Sequence, residues 1–369
     1  MRGGTSKGVF VRDEALPPAG PRRDELLLAL MGSPDPMQID GLGGTHSSTS
    51  KVLTVSSSSR PQCDLDYTFY QVGIERAVVD AGGNCGNLTA AVGPYAIDEG
   101  ILAVVDGTVD VRLFNTNTQR RIVARVPVEN RRFAWSGDYH DDGVPGTPAP
   151  IHTDYLDPAG AVTGHLFPTR SRRARLAPQV GDVVEVSIVD VTAPVVMIAG
   201  DQLGLSALTD PSVVNADPAL LERIESIRAA AAVVVGLASD EGDARANSAA
   251  LPRVAVLDRA HRHELVTGRV IEASDHDLVL PSMSMQRAHH AIPLTTALCI
   301  GAAAQIPGTV AHELCSAPRG PSRLAHPKGV LTVRSSVDLG RDGPHVVSVG
   351  VTRTARCLLT GIAHIGRSC

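Results

Sequence analysis

Two stretches of the chain, 88–97 and 294–305, read as helices made of small and apolar residues on every face. A helix without a polar face has no side to turn toward water, so each must be buried all round. Strand-like segments flank both helices, and strands wrapped around a central helix would supply the cover. Pro94 lies inside the first stretch, where it removes a helical N–H and is expected to kink or end the helix.

The segments around these two helices come in a repeating order. Ahead of the first lie strands over 8–12, 51–55, 67–74 and 77–80, with a surface helix over 24–31 behind a run of prolines. After it come strands over 109–114 and 121–128, a Gly- and Pro-rich loop over 137–150, and a strand stretch reaching about Phe167. The second half gives strands over 183–191 and 195–199, then a strong helix over 218–235 with Asp217 placed as its N-cap. Strands over 252–257 and 277–280 follow, then a Ser/Met/His loop over 282–290 and the second buried helix. Strands over 329–335 and 346–353 and a closing segment over 355–365 complete it. This order predicts an internal structural duplication. The expected division is 1–181 and 182–369, with the last strand able to cross to the first half.

A length of 369 residues suffices for two domains with separate cores. Aromatic residues are only 3%, so those cores must be built from Val, Leu, Ile and Ala, and a base-stacking platform is disfavoured. The net charge is −5 with scattered basic residues, which gives no footprint for nucleic acid or an anionic membrane. No apolar run approaches the ~20 residues needed to span a bilayer, and the N-terminus lacks the apolar core of a secretory signal. The six cysteines show neither C-x-x-C nor zinc spacing, so reduced thiols, a cytoplasmic location and no metal centre are expected.

Four segments carry candidate chemistry. Gly82-Gly-Asn-Cys-Gly-Asn87 opens the first buried helix, so Cys85 sits where unpaired amides favour a thiolate, and the amides of Gly86 and Asn87 suit a carboxylate or enolate. A buried, inert cysteine in a tight turn fits the same local sequence. Gly43 to Lys51 is dense in hydroxyls and glycine amides, and Ser48, Thr49 and Ser50 suit anion binding. Lys51 begins a strand; partly desolvated it could serve as a base, and in a mobile loop it would be an ordinary solvated lysine. Arg2, the amides of Gly3 and Gly4, and the hydroxyls of Thr5 and Ser6 form a reasonable carboxylate cradle. In the second half, Ser284, Met285 and His290 lie just before the buried helix as further contact candidates, and a packed histidine with a hydrogen-bonded ring fits that position equally well.

Taken together, Met1-Arg-Gly-Gly-Thr-Ser-Lys-Gly8, Gln38-Ile-Asp-Gly-Leu-Gly-Gly44, Ser48-Thr-Ser-Lys51 and Gly83-Asn-Cys-Gly-Asn-Leu-Thr-Ala-Ala91 resemble the PrpF family. The resemblance continues through Phe167-Pro-Thr169, Ser284-Met285, His289-His290, 302–309 and Arg353-Thr-Ala-Arg356, covering nearly the whole chain. It implies an α/β fold like diaminopimelate epimerase: two pseudo-symmetric halves, each a curled sheet around a central helix, with the active site in the cleft between them. It also implies a cofactor-independent isomerase that moves a carbon-bound proton to rotate or shift the double bond of an aconitate- or 2-methylaconitate-like polycarboxylate. A 4-oxalomesaconate-type tautomerase, a methylitaconate-type isomerase and a catalytically silent binding protein are the alternatives. Lys51 would be the base and Cys85 its acid/base or anion-stabilising companion, with Thr309 a further contact. The epimerase takes a cysteine from each half, whereas here the second turn carries His289 and His290, so a two-thiol mechanism is not supported. Relatives usually carry a strand ahead of Met-Arg-Gly-Gly, so that sheet edge is expected to be missing. The expected partner is the small substrate, with a homodimer as the candidate assembly.

Overall fold

The computed structural model describes residues 1–205, 211–280, 282–284, 287–289, 292–317, 319–341 and 343–366. The chain divides into two compact units, Met1–Leu156 with Thr352–Cys369, and Asp157–Val351.

The first unit opens with a hairpin of β1 (Arg2–Gly3) and β2 (Ser6–Lys7). The strand Ala355–Arg356 pairs antiparallel with β1, which ties the end of the chain to this unit. Its larger sheet contains β3 (Val9–Arg12), β4 (Lys51–Ser57), β5 (Leu65–Val72), β6 (Val79–Asp80), β7 (Gly107–Asn115), β8 (Arg120–Glu129), β9 (Arg132–Phe133) and β10 (Ile151–Leu156). β3 runs parallel to β4 and β5 to β7, while β4–β5, β7–β8 and β8–β10 are antiparallel. Residues 51–55 of β4 are buried at every position, as in a strand covered on both faces. Helix α1 (Pro21–Met31) starts earlier than expected because Pro21 occupies its first turn, where a missing N–H costs nothing. It packs Leu27, Leu30 and Met31 on Val52, Tyr70 and Val72.

The buried segment that followed the cysteine turn in the sequence is two short helices, α2 (Gly86–Thr89) and α3 (Val92–Asp98). The break falls at Ala90–Ala91 rather than at Pro94. Pro94 lies in the first turn of α3, and a proline excludes helical hydrogen bonding to the carbonyl four residues earlier, which is Ala90. Every residue from Val92 to Ile97 is buried, and α3 lies against β8 and β9.

Gly3 sets how closely the first hairpin approaches α2. A Cβ at Gly3 would lie 2.5 Å from the Asn87 carbonyl oxygen and 3.0 Å from Leu88 Cα. Both are backbone atoms and cannot step aside as a flexible side chain would.

The second unit contains β11 (Ala174–Leu176), β12 (Val184–Val191), β13 (Ala193–Ala199), α4 (Pro211–Asn215), α5 (Pro218–Val234), α6 (Glu241–Asn247) and β14 (Arg253–Arg259). It continues through β15 (His263–Glu264), β16 (Val270–Ile271), β17 (Leu278–Val279), β18 (Ser282–Ser284), β19 (Arg287–His289), α7 (Leu294–Ala304), α8 (Val310–Leu314), β20 (Ser322–His326), β21 (Gly329–Gly340) and β22 (Gly343–Arg353). Strand pairing runs β11-β12-β13-β14-β17-β20-β21-β22, with β13–β14 and β17–β20 parallel. Helix α7 is buried from Thr296 to Ala304 and touches β12 and β13 as well as β20 and β21. Strands far apart in the pairing order therefore meet on one helix, and the sheet must curl. Each unit thus has the sheet-around-helix plan that the sequence implied. Asp217 caps α5 by accepting from the amides of Ala219 and Leu220, as expected.

Three expectations need correction. The stretch predicted as a strand to Phe167 ends at Leu156, and residues 162–163 instead donate their amides to the buried Asp190 carboxylate. That anchor, with β11 paired on β12, places the segment after Leu156 in the second unit, ahead of the division expected at 181/182. The Ser/Met/His loop contains β18 and β19, an antiparallel pair that β14 extends by pairing with β18. The sheet edge supplies hydrogen-bond partners that local sequence cannot reveal.

His276 is fully buried, with neither ring nitrogen meeting a hydrogen-bond partner among the described residues. Its ring stands edge-on to His263 at 5.2 Å between centroids, and His263 lies 5.1 Å from His261. Burial, reinforced by these neighbouring rings, holds the His276 pKa down to about 4. A histidine whose folded pKa is depressed contributes fully above its unfolded value near 6.5, and loses that contribution as pH falls toward the folded value. Urea unfolding should show up to about 3 kcal/mol of acid destabilisation across this window, much of it absent in His276→Leu. Equal pH dependence in the variant would refute this assignment. Independently, Gly3→Ala should lower stability by about 1–3 kcal/mol in thermal unfolding, because two backbone segments must separate.

Candidate active site

Lys51 is the first residue of β4 and lies directly across from Gln71 of β5. Its Nζ donates to Gln71 Oε1 at 2.5 Å and sits 5.0 Å from the centre of the Phe69 ring. Gln71 is itself fixed, donating through Nε2 to the carbonyls of Ser50 at 2.9 Å and Ser47 at 3.1 Å. The lysine is only 9% exposed. Burial lowers its pKa, since a desolvated ammonium is disfavoured, and electrostatic attraction to Cys85 opposes part of that effect. Of the two readings open for Lys51, the structure shows a buried amine and no solvated loop lysine.

Cys85 occupies the N-cap position of α2, and its carbonyl accepts from the Thr89 amide at 3.0 Å and hydroxyl at 3.1 Å. The Thr89 hydroxyl also meets the buried Tyr67 hydroxyl at 3.0 Å, which fixes the turn from the sheet side. Cys85 is half-buried, and its Sγ lies 3.8 Å from Ser6 Oγ. Cys299, by contrast, is fully buried with its thiol on the Val189 carbonyl at 3.2 Å, and burial pushes its pKa up, as suits a core residue.

The first hairpin supplies hydroxyls next to this thiol. Asn87 Nδ2 donates to Thr5 Oγ1 at 3.1 Å and to Ser6 Oγ at 3.4 Å. The amides of Gly86 and Asn87 belong to the first turn of α2, where helical N–H groups have no partner within the helix. Arg353 Nε donates to Asn87 Oδ1 at 3.1 Å, and its Nη1 lies 3.4 Å from Asp141 Oδ1. Lys51, Cys85, Thr5, Ser6, Gly86 and Asn87 thus come together within the first unit.

Other expected contacts have different roles. Gly4 does not offer its amide, which donates to the Thr354 carbonyl at 2.8 Å. Arg2 donates to the Gly4 carbonyl and to Thr354, bracing the hairpin. Ser50 is fully buried, donating to the Val72 carbonyl and accepting from Gln38 Nε2, so its hydroxyl cannot reach a solute. Thr49 closes its own loop by donating to the Gly44 carbonyl, and Ser48 Oγ pairs with His46 Nδ1. Thr309, in the second unit, is fully buried and caps α8, accepting from the His312 amide and donating to the Ala303 carbonyl. Ser284 lies on β18, whose backbone alone is described, and Met285 and His290 lie outside the described residues.

Gln71, Asp141 and Arg353 were not among the sequence-based candidates. Arg353 stands in the Arg-Thr-Ala-Arg stretch that carries part of the resemblance, so a signal for it existed. Gln71 is one polar residue on a strand, and Asp141 sits in a Gly- and Pro-rich loop; neither has a local mark. Among the described residues, no three His, Cys, Asp or Glu side chains are grouped to hold a metal, and no helix is long and apolar enough to cross a membrane.

The whole chain is similar to known proteins. The chain is 39% identical to 3-methylitaconate isomerase of Eubacterium barkeri, the match covering 100% of this chain and 96% of the relative. It is 38% identical to 4-oxalomesaconate tautomerase of Pseudomonas putida (100% and 95%) and 36% identical to 2-methyl-aconitate isomerase of Shewanella oneidensis (99% and 95%). A solved methylitaconate-delta-isomerase superposes with a TM-score of 0.90 at 38% identity, over 98% of this chain and 92% of that one. The family model described as PrpF protein matches residues 1–366, and the chain belongs to the PrpF family.

Proposed function

We propose that this protein isomerises a small unsaturated polycarboxylate by moving a carbon-bound proton, with Lys51 as the base. The observation that carries the reading is the Lys51 amine: buried, lowered in pKa, and within electrostatic reach of the half-buried Cys85. The names of the relatives supply the substrate class: methylitaconate, oxalomesaconate and methylaconitate are all small and carboxylate-rich.

The chemistry follows from the acidity of a C–H next to a conjugated carboxylate. Neutral Lys51 accepts that proton, and the electron pair of the broken C–H bond spreads into a dienolate. In the dienolate the former double bond can rotate or shift. A proton then returns to carbon from the Lys51 ammonium or the Cys85 thiol, so no atoms are gained or lost. The hydroxyls of Thr5 and Ser6 and the amides of Gly86 and Asn87 offer donors for carboxylate oxygens and for the charge that develops in the dienolate. The intact lysine and cysteine also weigh against a silent binding protein.

Proton NMR in D₂O with cis- and trans-aconitate, 2-methylaconitate, methylitaconate and oxalomesaconate tests the reading. Interconversion or deuterium wash-in is expected with at least one of them, and Lys51→Ala should lower the rate by about 10²–10⁴. Because the neutral amine is the active form, kcat/KM should rise with pH, on a limb whose midpoint lies below the ordinary lysine value of 10.5. No exchange from folded wild-type protein with any of the five would sink the proposal. A Lys51→Ala variant as active as wild type would remove Lys51 as base.

A further inference from the structure

We propose that Arg353 is a positioning residue for this reaction, holding the Asn87 carboxamide in the one orientation that leaves the Thr5 and Ser6 hydroxyl protons free for a substrate carboxylate. The proposal rests on the isomerase reading and adds a residue that sets how the carboxylate cradle points.

The argument begins with donor and acceptor counting. A guanidinium has donors and no acceptor, so the Asn87 atom facing Arg353 Nε at 3.1 Å must be the carbonyl oxygen. The carboxamide NH₂ then faces Thr5 Oγ1 at 3.1 Å and Ser6 Oγ at 3.4 Å. Both hydroxyl oxygens act as acceptors in those contacts, and each hydroxyl keeps its own proton to donate elsewhere. Thr5 is exposed, so its proton can reach a solute, while Ser6 is only 5% exposed, with its Oγ accepting from Cys85 Sγ at 3.8 Å, so its proton can serve only a group seated beside that thiol. With the carboxamide turned over, its oxygen would face the two hydroxyls and draw their protons inward. The cradle would then lose two donors without losing a residue.

The surroundings keep Arg353 in place. Its Nη1 lies 3.4 Å from Asp141 Oδ1, and Asp141 is only 4% exposed. Thr354 Oγ1 donates to the other Asp141 oxygen at 3.4 Å and accepts from Arg2 Nη1 at 2.8 Å. Gly4, with φ at +49°, makes room: a Cβ there would lie 2.6 Å from Asn87 Oδ1 and 3.2 Å from Arg353 Cδ. The motif glycine at position 4 therefore shields the Arg353–Asn87 bond from a clash, a different task from presenting an amide to substrate.

Two substitutions separate this role from a merely structural one. Arg353→Met removes the donor. Asn87→Asp keeps an acceptor for Arg353, and so preserves the packing, but has no N–H to offer Thr5 and Ser6. Both should raise KM about tenfold or more while kcat falls less, and in Arg353→Met the Lys51 limb of the pH profile should stay in place. Asn87→Asp should melt close to wild type. Unchanged KM in Asn87→Asp, or a loss confined to kcat, would overturn the proposal. If wild type turns over none of the substrates, the isomerase reading falls separately, and calorimetry with tricarballylate then decides. Binding to wild type about tenfold tighter than to Asn87→Asp upholds the orientation; equal Kd values, or no binding to wild type, overturn it.

Discussion

Burial of a helix that has no polar face organises each unit of this protein. In the second unit, α7 must be covered on all sides, and the sheet answers by bringing β12 and β13 and also β20 and β21 onto it. Aromatic residues are too few to fill the gaps, so the contact is made by Val, Ile, Leu and Ala, whose small size lets strands approach closely. In the first unit the same constraint acts on α2 and α3, and their burial fixes where the chain enters them. That entry is the Cys85 turn. Its position follows from the packing of the helix behind it.

The site chemistry is built on this base through short contacts between backbone segments. Gly3 lets the first hairpin lie against the Asn87 carbonyl, and the hairpin carries Ser6 to the cysteine. Lys51 comes from a different direction, at the head of a strand buried on both faces, and the price of that burial is a destabilised ammonium. Tyr67, Thr89 and Gln71 hold the two approaches still through bonds from the sheet. A buried amine, a thiol and two hydroxyls are thus carried by a strand, a helix entry and a hairpin that the sheet braces.

The six residues that the first unit brings together stood among a larger set that the resemblance and the local chemistry singled out, because their signals are local. A thiol before a small apolar helix, a lysine at a strand start and hydroxyls in a glycine hairpin each carry a physical reason within a few residues. Ser50 and Thr309 misled for a related reason. A hydroxyl beside a lysine or in a Gly-Thr turn suits anion binding and an internal cap equally well, and only burial separates the two.

By itself, the sequence determined that two helices must be buried within sheets, that the order of elements repeats, and that Lys51 stands at a strand start and Cys85 at a helix entry. These are consequences of periodicity, side-chain type and near neighbours along the chain. Only the tertiary structure decided that the helix after Cys85 breaks at Ala90–Ala91, that Ser282–Ser284 pairs with Arg287–His289 as strands, and that Arg353 reaches Asn87 from the far end of the chain. Each of those depends on a partner distant in sequence, such as a sheet edge waiting for hydrogen bonds or a carboxamide oxygen waiting for a donor. Local sequence carries no record of which partner arrives.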